Sequence, residues 1–178
     1  MGRATAVLAA AAVLAAAPAA LGTVESGQVV PFRGIAGAKL HQSRAQVLAI
    51  LGRPLHENAF GVMSYSDANI MDVYLTRAGA RGRVRQFVAS GTGFCAKGVV
   101  GACSRVPNSE IAMRRAYPGR FRRVVDVTGD TVWWWCGRVG GRAVSTSFNT
   151  DPRRHMILTW YMADHGRTCP TIAQVRGG

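Results

Sequence analysis

Four cysteines and four histidines are the residues of this chain best suited to chemistry, and their spacing decides which chemistry. Cys95, Cys103, Cys136 and Cys169 contain no close C-x-x-C pair, and His41, His56, His155 and His165 contain no H-x-x-x-H pair. Zinc sites are built on such close pairs, so neither set reads as a metal centre. The nine Asp and Glu residues include no adjacent pair with an evident acid–base role. There is no G-x-S-x-G elbow and no P-loop, and the Gly-rich run at 91–103, "GTGFCAKGVVGAC", lacks the Lys-Ser/Thr ending that cradles phosphate. A Cys95/His41 nucleophile pair is open to the sequence, but in an exported chain such a cysteine is far more often half of a disulfide. No catalytic residue, metal or cofactor is therefore expected.

An even number of cysteines reads as two disulfides with three possible connectivities. Cys95 and Cys103 are the nearest pair, and Cys136–Cys169 would then tie a strand to the C-terminal tail. Loop-closure entropy gives these two about 2.5 and 4 kcal/mol at most. Disulfides need an oxidising compartment, and residues 1–20 read as the matching address. One positive charge at Arg3, an Ala/Val/Leu run and small residues around Ala17-Pro18-Ala19 have the order of a secretory signal peptide. The expected mature chain is 21–178, secreted or associated with the cell envelope. No cysteine follows the run to carry a lipid, and no second apolar stretch is long enough to span a bilayer.

The net charge is +13, or +12 once Arg3 is lost, and twenty of the 22 basic residues are arginine. Arginine forks match phosphate and carboxylate oxygens, which suits a polyanion-binding surface. Yet Ala, Gly and Arg rise together in GC-rich coding sequence, and the arginines are spread along the chain. Composition is the favoured account, with attraction to acidic partners at low salt still expected.

The aromatic run "VWWWC" at 132–136 carries the most information about binding. Strand alternation sends Val132, Trp134 and Cys136 to one face and Trp133 with Trp135 to the other. A disulfide-bonded Cys136 inside the protein would make Trp134 core and leave Trp133 and Trp135 on the open face, with Tyr161, or else Trp160, extending the patch. Exposed aromatic residues of this kind are hot-spot material for binding; the competing reading covers both faces and makes all three Trp structural.

These residues must be positioned by two similar passages. "SRAQVLAILGRP" at 43–54 and "SEIAMRRAYPGR" at 109–120 each start at a serine, run through a short helical pattern and stop at Gly and Pro. Ser43 and Gln46 have capping-box spacing. Three β-type runs follow the first helix, and four follow the second, from "RRVVDVTG" to "HMILTWYMA". The pattern predicts α+β architecture in two diverged tandem repeats, residues 31–91 and 94–165, each a short helix or helix pair packed on an antiparallel sheet.

"GIAGAKLHQSRAQVLAILGRP" and "KGVVGACSRVPNSEIAMRRAYPG" resemble the repeat openings of small secreted proteins from high-GC Gram-positive bacteria. Two tandem copies resemble the β-lactamase-inhibitory protein family, and one copy resembles outer-membrane-assembly lipoproteins of the SmpA/OmlA (BamE-like) type. That resemblance implies two sheets forming a concave protein-binding face. The expected function is accordingly a non-catalytic, inhibitor-like or envelope-associated macromolecule binder, with an exported or envelope protein as partner. The alternatives are an Arg-driven binder of anionic envelope polymer or nucleic acid, and a small secreted hydrolase.

Overall fold

A computed structural model describes residue 24 and residues 26–66, 71–91 and 93–177 of the chain. The expected leader at 1–20 lies outside the described residues.

The helix signals in the sequence act as read. In α1 (Arg44–Leu51) the Ser43 hydroxyl accepts from the Gln46 N–H and the Gln46 side chain accepts from the Ser43 N–H, closing the capping box. Gly52 ends it at φ 79°, and Val47 and Leu51 are its buried residues. Helix α2 (Ser109–Ala116) starts after Asn108 and carries Glu110 in its first turn, where the backbone dipole favours a carboxylate. Each helix has 8 residues, which is only about 12 Å of rise. Neither can cover a sheet.

The strands do that work themselves. Lead-in residues form β1 (Gly27–Val30), β2 (Gly34–Ile35) and β3 (Ala38–Lys39). A Cβ at Gly34 would collide with the Ala38 carbonyl, so the β2–β3 hairpin closes only on glycine. The first half continues with β4 (His56–Glu57), β5 (Val62–Ser64), β6 (Met71–Leu75) and β7 (Val84–Ser90), and β8 (Phe94–Ala96) opens the second. The second supplies β9 (Arg122–Val125), β10 (Thr131–Val139), β11 (Arg142–Asp151) and β12 (Met156–Gly166), followed by a short α3 (Ile172–Gly177).

Their arrangement corrects the expected fold class. The protein is mostly β, not an α+β pair of helix-on-sheet repeats. Strands from both halves join in one eight-stranded antiparallel sheet, ordered β4-β5-β6-β7-β12-β11-β10-β9. A second, mixed sheet of four strands is ordered β3-β2-β1-β8. The physical reason is edge satisfaction: β7 and β12 pair from Ser90↔Thr159 to Gln86↔Ala163, which removes two long edges that separate sheets would expose.

One face of the large sheet is buried against the small sheet and the two helices. Met63, Val73, Phe87, Trp160, Met162 and Phe148 from the large sheet meet Val29, Ile35 and Phe94 from the small one. Buried hydrogen bonds fasten the layers: the Trp160 indole N–H donates to the Phe94 carbonyl (3.1 Å), and the Ile157 N–H to Ser109 Oγ (2.7 Å). Phe148 sits between Phe121 and Trp160, with ring centroids 5.0 and 5.2 Å away. Replacing it by alanine removes a fully buried ring from this stack. Phe148→Ala should cost about 3–5 kcal/mol, read as a lower urea midpoint with an unchanged slope.

Candidate functional site

The opposite face of the large sheet is where a ligand can be met. Register places its side chains in rows across the strands. One row runs Trp134, Ser147, Tyr161, Val88 and Asp72; the next runs Cys136, Ser145, Ala163, Gln86 and Tyr74. The C-terminal segment crosses the β10 end of this face, held by the Cys136–Cys169 disulfide and by the Val127 N–H to Arg176 carbonyl bond (3.1 Å). Between the segment and the sheet lies an open cleft of about 360 Å³. Trp134 and Val132 form its apolar floor, Tyr161 and Asn149 line its open side, and Pro170 with Val175 form the wall from the tail.

The alternation of the tryptophan run is as expected, but its two faces are exchanged relative to the reading with an interior Cys136. Trp133 and Trp135 do not project from the open face. Trp133 is only 8% exposed and belongs to the main core, and Trp135 packs on that core in contact with Phe32, Tyr117 and Phe121. Trp134 takes the other side, at 9% exposed, beneath the tail. The exchange follows from Cys136, whose bridge to Cys169 lies on the tail-covered face and not in the core. Tyr161 is on the open face, half-buried, in the row of Trp134 and Ser147 and not beside Trp133 and Trp135. Of the three possible cysteine connectivities the structure has Cys95–Cys103 and Cys136–Cys169. Two disulfides are consistent with an oxidising environment.

Within the cleft, Ser145 Oγ and His165 Nε2 share a hydrogen bond of 2.8 Å, its direction set by the imidazole tautomer. Burial holds His165 below the usual histidine range, against the opposing pull of the Asp164 charge. This pair was not singled out in the sequence, because Ser145 and His165 are twenty residues apart and meet only through the β11–β12 register. Asp164 does not complete a triad. It sits on the opposite side of β12, bound by Arg142 (2.8 Å) and by the Gly166 N–H (2.8 Å). Among the described residues no group of three or more His, Cys, Asp or Glu side chains is placed to hold a metal. No described helix is long and apolar enough to cross a membrane. Neither a protein-family model nor a curated protein nor a solved structure matches this chain.

The cleft is short of charge. Among the described residues, Asp126 and His165 are its only ionisable lining groups besides the Tyr161 phenol, and no arginine or lysine lines it in a chain that has 22. What it offers is aromatic surface with hydroxyl and amide groups, from Ser147, Asn149, Gln86 and Gln174 among others.

Two outcomes follow. The Cys136–Cys169 bridge closes a separation of 33 residues, so the Cys136→Ser/Cys169→Ser double variant should lose about 4 kcal/mol or less. The same variant should increase acrylamide quenching of tryptophan, as the tail leaves Trp134. The second outcome concerns pH. His165 is depressed in the folded state, so its contribution is complete above the ordinary histidine value of about 6.5. It is lost as pH falls from there toward the folded value, because the unfolded chain takes the proton first. Urea midpoints should therefore drop more between about pH 7.5 and 5.5 in the wild type than in His165→Gln.

Proposed function

We propose that this is a non-catalytic binding protein that takes a neutral segment of an exported or envelope protein on the open face of its large sheet. The observation that carries this reading is the make-up of the cleft: an apolar floor with Trp134, hydrogen-bonding walls with Asp126 as their one carboxylate and, among the described residues, no guanidinium, in a strongly basic chain. A polyanion site would place arginines where the ligand lies. A protein segment instead needs an apolar anchor pocket rimmed by donors and acceptors. The resemblance of the two repeat openings to the inhibitor and assembly-factor families points to the same class of partner. Tyr161 is the anchor, because its ring is half-buried in the cleft and its neighbours across the strands, Ser147 and Val88, are small enough to leave it accessible.

The Arg-driven alternative has one observation of its own. Arg114, Arg120, Arg122 and Arg123 gather around the β9 edge, around two further recesses that the open-face cleft does not include. Salt separates the two readings. Immobilised protein is exposed to exported and envelope proteins at about 50 and 300 mM salt, with Tyr161→Ala alongside. On the open-face reading a partner stays bound at the higher salt and is weakened by about 2 kcal/mol, some thirtyfold, in Tyr161→Ala. Capture that fades with salt and ignores Tyr161→Ala sinks the open-face reading in favour of polyanion binding.

A further inference from the structure

On the helix-bearing side of the sheet, a second recess of about 340 Å³ lies between α2 and the Thr131/Thr150 end of β10 and β11. It does not share a lining residue with the open-face cleft. Two of its residues present buried polar atoms that no protein group satisfies: Trp133 Nε1 and Thr150 Oγ1. Trp133 is 8% exposed and Thr150 3%. An indole N–H can only donate, so it calls for an acceptor, and the threonine hydroxyl can donate as well. Buried donors without partners are rare enough in native proteins to need an explanation.

The charges around them point to what that acceptor is. The Arg114 guanidinium lies over the Trp133 ring at 4.2 Å and gives one bond to Glu110 Oε1 (3.3 Å). Arg123, directly across from Trp133 in the β9–β10 register, gives one bond to Thr131 Oγ1 (3.2 Å). Each guanidinium has five N–H donors, so most of each fork remains to be used. Glu110 is the one carboxylate among the described residues that line the recess and is already shared between Arg114 and His155 Nδ1, both at 3.3 Å. Two arginines against one paired carboxylate leave the recess positive even with His155 neutral.

We infer that this recess binds a small oxyanion, a carboxylate or phosphate group, between Arg114 and Arg123 with Trp133 Nε1–H and the Thr150 hydroxyl as neutral donors. The stacking of Arg114 on Trp133 and the Arg123–Thr131 bond hold both forks in place before the ligand arrives, which favours planar, two-point recognition. The inference is independent of the open-face reading, because it concerns the other side of the sheet.

The test is an NMR titration of the mature chain labelled with ¹⁵N, following the four tryptophan indole N–H signals. Trp133→Phe identifies the Trp133 signal. Sodium acetate and sodium phosphate are each added at constant ionic strength, with chloride as the balancing salt. The Trp133 indole signal should move saturably, with a dissociation constant on the order of 1 mM. The Trp160 indole, bonded to the Phe94 carbonyl, should stay still. Arg123→Gln or Arg114→Gln should weaken the effect at least tenfold, while Arg77→Gln on the distant β6–β7 hairpin and Tyr161→Ala should leave it unchanged. The tighter of acetate and phosphate names the group. A Trp133 signal that ignores both anions, that follows chloride equally, or that titrates unaltered in both arginine variants overturns the inference.

Discussion

The Trp160 indole N–H lies at the centre of the molecule, fully buried, and a donor there must find an acceptor or destabilise the fold by about 1–3 kcal/mol. It finds the Phe94 carbonyl of β8. That single bond pins the small sheet to the seam of the large one, since β8 pairs with β1 and β1 with β2. Once those strands lie over β7 and β12, they bury the apolar rows on one side of the large sheet. The other side is left to be covered only in part, by whatever the tail supplies.

Sheet edges are settled by the same economy of elements. Joining β7 to β12 makes one long sheet with only two ends. Those ends are β4, with 2 residues, and β9, with 4, both carrying charge: Glu57 on one, paired with Arg44, and Arg122 and Arg123 on the other. Short, charged end strands resist pairing with a second chain. The cationic recess on the helix side owes part of its position to this, because one of the arginines that protect the β9 edge, Arg123, also lies opposite Trp133, where Arg114 of α2 meets it.

Local features of this fold were legible and its assembly was not. Ser43 with Gln46, Gly52 and Pro54 mark α1 through hydrogen-bonding and φ preferences that act within a few residues. The strands from "GVMSYSDA" to "HMILTWYMA" are visible for the same reason, because alternation is local. Whether β7 pairs with β12 or ends a sheet depends on contacts more than sixty residues apart, and no short-range pattern encodes it. The strand content of the lead-in was missed as well: β1 to β3 have 4, 2 and 2 residues and take their stability from Phe94, Phe87 and their neighbours, not from propensity. In the candidate site, Tyr161 could be found as an aromatic on a strand. Ser145 with His165 could not, and which face of the tryptophan run is core turned on where the Cys136 disulfide lies, which alternation alone does not encode.

That placement shows how firmly the two faces are separated. β10 and β11 pair over nine consecutive residues, Thr131 to Val139, with no shift in register, whereas the β11–β12 pair has irregularities near each end. Moving β10 by one residue would exchange Trp133 and Trp135 with Trp134. It would bring Cys136 to the core side, away from Cys169, and carry Arg123's partner Trp133 out of the aromatic core. The disulfide on one face and the Trp135–Phe32–Phe121 cluster on the other therefore select the same register independently. Three consecutive tryptophans can serve opposite surfaces only because both constraints agree. The cleft without arginine and the recess with two, on opposite faces of the sheet, keep their separate chemistries by that agreement.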